Sequence, residues 1–121
     1  ILLVEDHPLN YRIAENLLTK VGCTVFGAAN GQEALDTFLK NPSAFDLILM
    51  DIRMPVMDGF TAVQKIRTSG GTGAGQIPII AMTANAFEED INKSKAAGMN
   101  SHLAKPIDPQ KLYETLSEYL K

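Results

Sequence analysis

Residues 45–59 read FDLILMDIRMPVMDG, and the first half of that stretch constrains the fold more than any other part of the chain. Phe45, Leu47, Ile48, Leu49 and Met50 form a nearly unbroken apolar run, the pattern of a strand buried on both faces of a sheet. Such strands need helices over both faces, and that arrangement goes with parallel pairing. The run stops on a carboxylate, Asp51, and the chain then leaves through Met54-Pro55 and Asp58-Gly59, which are turn residues. A buried strand thus carries one Asp to its carboxyl end, the edge where open parallel sheets bind ligands. A lone Asp in that place is more often a strand or helix cap than a reactive group. Its meaning rests on what else reaches the same edge.

The rest of the chain repeats the pattern. Residues 1–4 and 77–82 are apolar runs that end on Glu5-Asp6 and on Thr83. Further strands are expected over residues 23–29 and 100–104, the second running into Lys105-Pro106. Helical faces lie between them. Ala14, Leu17, Leu18 and Val21 share one face, and Gly22 can close that helix. Ala34, Leu35, Phe38 and Leu39 follow Asn30 and Glu33, which have the spacing of a capping box. Phe60, Val63 and Ile66 mark a third helix. A fourth is expected from near Ala86, capped by Asn85; beyond Phe87 and Ile91 it has few large apolar residues and should pack weakly. Asp108 and Pro109 open a fifth, with Leu112, Leu116 and Tyr119 on its inner face. Five strands alternating with five helices predict one α/β domain with right-handed crossovers.

Composition narrows the function. The chain has 121 residues and a formal charge of −3, with no basic stripe, which argues against nucleic-acid binding by this chain. Its one cysteine, Cys23, excludes an internal disulfide, fits a reducing compartment, and reads as a small buried hydrophobe. No apolar run has the length of a membrane span and no signal peptide opens the chain, so a cytoplasmic domain without membrane contact is expected. The start inside a strand-like run predicts a domain, residues 1–121, excised from a longer multidomain protein that is itself membrane-anchored or not. Gly70 and Gly75 in the glycine-rich stretch 69–75 have the outer spacing of a phosphate-binding P-loop, but Gln76-Ile77 stands where Lys-Ser/Thr is required; the stretch reads as a linker.

The strand ends together describe a chemistry. They bring Glu5, Asp6, Asp51, Thr83 and Lys105 to one edge. Clustered carboxylates at neutral pH need a cation, and oxygen ligands favour a hard divalent ion such as magnesium. Magnesium, an ammonium group and a hydroxyl could hold the oxygens of a phosphoryl group, with a carboxylate as nucleophile forming an aspartyl phosphate.

At this point the chain resembles a family, the receiver domains of two-component response regulators, over essentially all its length. The marks are Glu5-Asp6, Asp51, Met54-Pro55, Asp58-Gly59, Thr83-Ala84 and Lys105-Pro106, in this order on these strand ends. The phrases ILLVEDHPLN, PIIAMTANAFEED and SHLAKPID look most like receivers fused to hybrid sensor histidine kinases. The resemblance implies a flavodoxin-like (βα)5 three-layer sandwich with a parallel five-stranded sheet in the order 2-1-3-4-5. It implies that Asp51 accepts phosphate from a phosphohistidine, on a histidine kinase dimerisation domain or a histidine phosphotransfer protein. Asp6 and Asp51 would bind magnesium directly, Glu5 through water, and the backbone carbonyl of Arg53 would be a further ligand. Lys105 would pair with the phosphoryl oxygens, and Thr83 would move toward them and carry the signal to the face formed by the fourth helix, fifth strand and fifth helix. Such a module catalyses its own phosphorylation and dephosphorylation.

The chain departs from the family where Tyr or Phe usually stands three residues before the lysine: here it has His102, expected either as a pH-sensitive rotameric switch or as a static, partly exposed side chain. Arg53 and Asn85, two residues beyond Asp51 and Thr83, are expected to tune phosphate lifetime. The competing functions are an aspartyl-nucleophile phosphatase, a phosphorylation-independent interaction domain and a flavin-binding module. Arg53 stands where such phosphatases often carry a second Asp, and the acids would repel a flavin phosphate.

Overall fold

A computed structural model describes residues 1–41, 44–52, 57–69, 76–83, 88–105 and 107–120. The elements follow in the order β1 (Leu2–Val4), α1 (Pro8–Lys20), β2 (Phe26–Ala28), α2 (Gly31–Lys40), β3 (Ile48–Asp51), α3 (Gly59–Arg67), β4 (Ile79–Thr83), α4 (Glu88–Ala97), β5 (Ser101–Ala104) and α5 (Pro109–Tyr119). The strands form one five-stranded parallel sheet in the order β2-β1-β3-β4-β5, the expected flavodoxin-like topology.

Alternation along the strands divides the core into two layers. Leu2, Val4, Ile48, Met50, Ile79 and Ala81 pack on one face with Ala34 and Phe38 of α2 and Ala62, Val63 and Ile66 of α3. Leu3, Leu49, Ile80, Met82 and Leu103 pack on the other with Ala14 and Leu18 of α1 and Leu112 and Leu116 of α5. Both faces are buried, as the apolar runs require.

The helix starts follow local chemistry. Asn30 caps α2: its Oδ1 accepts from the Glu33 backbone amide at 2.9 Å, while its side-chain Nδ2, rather than the backbone amide of a capping box proper, donates to the Glu33 carboxylate at 3.2 Å. Asp58 caps α3 by accepting from the Thr61 amide, and Asp108 caps α5 by accepting from the Gln110 amide, with Pro109 at the first helical position. Gly22 and Gly98, with φ of 89° and 107°, take the left-handed conformation that follows α1 and α4.

Three expectations need correction. The second strand is short: β2 is a sheet edge and pairs on one side, so Phe26 stays 44% exposed and residues 23–25 are not strand. Val21 is 51% exposed, because α1 has ended and Val21 is its C-cap rather than part of its inner face. Cys23 is half-buried at the margin of the α1–α5 layer rather than enclosed. The cap Asn85 and the apolar Phe87 lie outside the described residues.

Candidate functional site at the carboxyl edge of the sheet

The order of the strands reverses beside β1, with β2 on one side and β3 on the other, so a crevice opens beyond their carboxyl ends. β1 delivers Glu5 and Asp6 there, and β3 delivers Asp51 as its last residue. Thr83 closes β4, and Lys105 follows β5. The register holds these ends level: the Ile52 amide donates to the Met82 carbonyl, and the Lys105 amide to the Thr83 carbonyl at 2.8 Å.

Gly59 sets the shape of the β3 end. Its amide donates to the Ile52 carbonyl at 2.9 Å. A Cβ at this position would collide with the carbonyl oxygen of Asp51 and lie 2.9 Å from the Ile52 Cα. Only glycine lets the start of α3 fold back this closely over the Asp51 backbone.

The Lys105 ammonium bridges two buried carboxylates, Glu5 Oε2 at 2.8 Å and Asp51 Oδ2 at 3.1 Å. Lys105 is therefore not a solvated surface charge. Glu5 Oε1 accepts the His7 amide at 3.1 Å, which folds the start of α1 against the site. Asp6 is exposed, yet oxygens of Glu5, Asp6 and Asp51 all lie within 4.8 Å of one another. Thr83 is buried at the same edge.

Among the described residues, the charges of this cluster do not balance. Burial pushes the Asp51 carboxyl up to about 6, the negative charge of Glu5 pushes the same way, and Lys105 opposes both. Burial works to lower the Lys105 pKa, but its hydrogen bonds to Glu5 and Asp51 and their charges outweigh that and raise it. Burial and the nearby charge of Glu5 both disfavour the ionised Asp51 carboxyl, and an added cation would offset them. Three hard oxygen donors with surplus charge are a donor set suited to magnesium.

His102 lies on β5 opposite Ala81 and is half-buried. Strand alternation puts it on the face away from Leu103. Arg53, Asn85, Met54, Pro55, Ala84 and Pro106 lie outside the described residues. The pairing of Glu5 with Lys105 was not read from the sequence. The signal available was charge: a lysine brought to an edge that already held three acids.

Residues 1–117 match the response regulator receiver domain. The chain belongs to that family. It is 40% identical over 120 residues to hybrid signal transduction histidine kinase I of Dictyostelium discoideum, a match that covers 97% of this chain and 7% of that protein. Among solved structures, the receiver domain of a sensor histidine kinase from Pseudomonas aeruginosa PAO1, with magnesium coordinated in its active-site cleft, superposes with a TM-score of 0.88 at 39% identity, covering 98% of this chain and 94% of that one. The receiver of a Saccharomyces cerevisiae response regulator, crystallised with its histidine phosphotransfer protein, superposes with a TM-score of 0.88 at 30% identity, covering 98% and 86%. These likenesses place the chain in two-component signalling as a receiver, and the hydrolase and flavin alternatives lose their ground. Among the described residues, no helix is long and apolar enough to cross a membrane.

Proposed function

We propose that this receiver accepts a phosphoryl group on Asp51 from a phosphohistidine of a partner protein, with magnesium as cofactor. The observation that carries the reading is the Lys105 ammonium held between Glu5 and Asp51, with Asp6 alongside, at the switch point of a parallel sheet. Asp6 and Asp51 would hold the metal, with the Arg53 carbonyl as a further ligand and Glu5 acting through water. Bound magnesium supplies charge neutralisation at the oxygens of the transferring group.

The residues of the chain divide the remaining work. A carboxylate oxygen of Asp51 attacks phosphorus in line with the leaving imidazole nitrogen; the P–N bond breaks as the P–O bond forms. Lys105 exchanges a carboxylate partner for a phosphoryl oxygen. Thr83 donates its hydroxyl to the phosphorylated site, and His102 turns with it as part of the switch toward the α4–β5–α5 face. Arg53 and Asn85 tune attack by water. The change is a population shift between two forms of one fold.

The donor's approach is supported by α1, which begins beside Asp6. Leu9 and Ile13 stand one helical turn apart and are 61% and 44% exposed. Apolar side chains next to a charged cleft suit a helix of a phosphotransfer protein or a kinase dimerisation domain. The small share of its relatives that this chain spans supports a place as one module of a longer protein.

The test is the intact mass after incubation with magnesium and acetyl phosphate. One phosphoryl adduct is expected on the parent, and none on Asp51→Asn or without magnesium. An adduct that survives Asp51→Asn overturns the assignment of Asp51. A parent that takes neither the adduct nor beryllofluoride overturns the phosphoacceptor reading itself.

A further inference from the structure

The opposite end of the sheet holds a second charged arrangement, built on Arg67, the last residue of α3. Its guanidinium donates to the Gly98 carbonyl through Nε at 3.1 Å and Nη2 at 2.8 Å, and through Nη2 to Asn100 Oδ1 at 2.9 Å. Asn100 in turn embraces the first residue of β4. Its Oδ1 accepts the Ile79 amide at 2.9 Å, and its backbone N–H donates to the Ile79 carbonyl at 2.7 Å. The Tyr119 hydroxyl of α5 donates to the Asn100 carbonyl at 3.2 Å. One turn, residues 98–100, is thereby tied to α3, β4 and α5.

That turn joins α4 to β5, and Gly98 gives it a left-handed conformation with φ of 107°. A Cβ on Gly98 would lie 3.2 Å from the Arg67 Cγ, so the stem of Arg67 as well as its charged head closes on the turn. Arg67 is half-buried, and that burial lowers its pKa from the ordinary value. Among the described side chains, the helix that enters this turn has less to hold it. Of the α4 side chains described, Ala97 at the C-terminal end is buried, while Asn92, Lys93, Lys95 and Ala96 are exposed. Lys93 lies 5.7 Å over the Phe60 ring, a contact of modest strength at an exposed position. An element with few buried apolar side chains opens at low free energy unless something else holds it.

We infer that Arg67 and Asn100 form a clamp that makes the Gly98 turn the fixed pivot of α4. The clamp and Thr83 lie on the two ends of the same strand, β4. With its C-terminal end pinned to α3 and β4, α4 responds to a change at the carboxyl edge by swinging about Gly98 rather than by shifting as a whole. The clamp itself does not rest on the phosphoacceptor reading; only the use made of the swing does.

Native-state amide hydrogen exchange on the whole chain, without magnesium or phosphoryl donor, tests this. In Arg67→Ala, amides of α4 should speed up about tenfold more than amides of α1 and α2, whose rise reports only the global loss of stability, because charge-assisted hydrogen bonds at the turn are lost. Arg67→Lys keeps the charge but not the forked geometry, and should show the same localised rise; it also serves where Arg67→Ala fails to fold. Asn100→Ala should add little to Arg67→Ala in the double variant, because one clamp is already open. If exchange in α4 rises no more than in α1 and α2, Arg67 supports the whole fold and the pivot is overturned. A second arm adds magnesium and beryllofluoride: the parent's shifts over Ser101–Ala104 should fall by about half in Arg67→Lys at full occupancy of the site, as a loosened pivot takes up the motion. A parent that ignores beryllofluoride counts against the phosphoacceptor reading and leaves the exchange result to decide the clamp.

Discussion

Lys105 and Arg67 each tie several elements together, at opposite ends of the sheet, and their surroundings differ in kind. Lys105 lies between the carboxylates of Glu5 and Asp51, with Asp6 close by. The described partners of Arg67 are neutral oxygens, the Gly98 carbonyl and the Asn100 side-chain amide. At the carboxyl edge, among the described residues, one ammonium faces three carboxylates, and burial together with the charge of Glu5 pushes the Asp51 carboxyl up to about 6. At the amino edge the described hydrogen bonds join the cation to the dipoles of neutral groups. A cluster with surplus charge is set to change when a cation or a phosphoryl group arrives. A cluster of satisfied hydrogen bonds is set to stay as it is.

Three substitutions break or sharpen this contrast. The largest effect is expected from Lys105→Met, which leaves Glu5 and Asp51 buried together without a counter-charge. Urea unfolding without magnesium should show a loss of about 2 kcal/mol at pH 7, shrinking toward pH 5 as a carboxyl takes up a proton, and partly recovered by magnesium. A loss that is the same at both pH values would mean that packing of the lysine stem, not charge, holds the edge.

Arg67→Ala should cost about 1.5 kcal/mol in the same assay, through carbonyl and amide groups left without a donor. This loss should not vary with magnesium. A magnesium-dependent loss would mean that the two ends are electrostatically one system.

The smallest effect is a gain. The carboxyl of Asp51 is pushed up to about 6 in the folded chain against an ordinary value of 3.8. The folded state therefore binds this proton more tightly than the unfolded state does. Stability is favoured below about pH 4 and falls as pH rises through about 6, where the charged form carries its full penalty. That difference bounds the penalty at about 3 kcal/mol, and solvent screening in an open cleft reduces it to about 1 kcal/mol. Asp51→Asn should thus stabilise the metal-free chain by about 1 kcal/mol at pH 7 and by nothing near pH 4, as thermal unfolding across that range would register. Destabilisation at pH 7 would show that the ion pair with Lys105 outweighs the repulsion from Glu5.

The fold was legible because its determinants are local and periodic. Apolar runs at residues 45–50 and 77–82 can only be strands covered on both faces, and Asn30, Asp58 and Asp108 start helices by chemistry within a few residues of themselves. Legibility failed at margins. Phe26 and Cys23 have strand-like neighbours, but an edge strand has one partner, and the sequence does not say which strand is an edge.

The site divides in the same way. Which groups reach the carboxyl edge was determined by sequence: Glu5-Asp6, Asp51 and Thr83 each stand where an apolar run stops, and Lys105 follows the short strand before Pro106. Their mutual geometry was decided by tertiary structure alone. The salt bridge from Lys105 to Glu5 spans almost the whole chain, and it exists because β1 and β3 are neighbours in the sheet while β5 reaches them across β4. The clamp of Arg67 on Gly98 and Asn100 has the same character. An arginine at a helix end and an asparagine after a glycine are unremarkable in sequence, and only the packing of α3 against the α4–β5 turn joins them. Periodicity encodes which face a residue turns to the core. It carries nothing about which distant charge will be waiting there, because that depends on the order of the strands and the register between them.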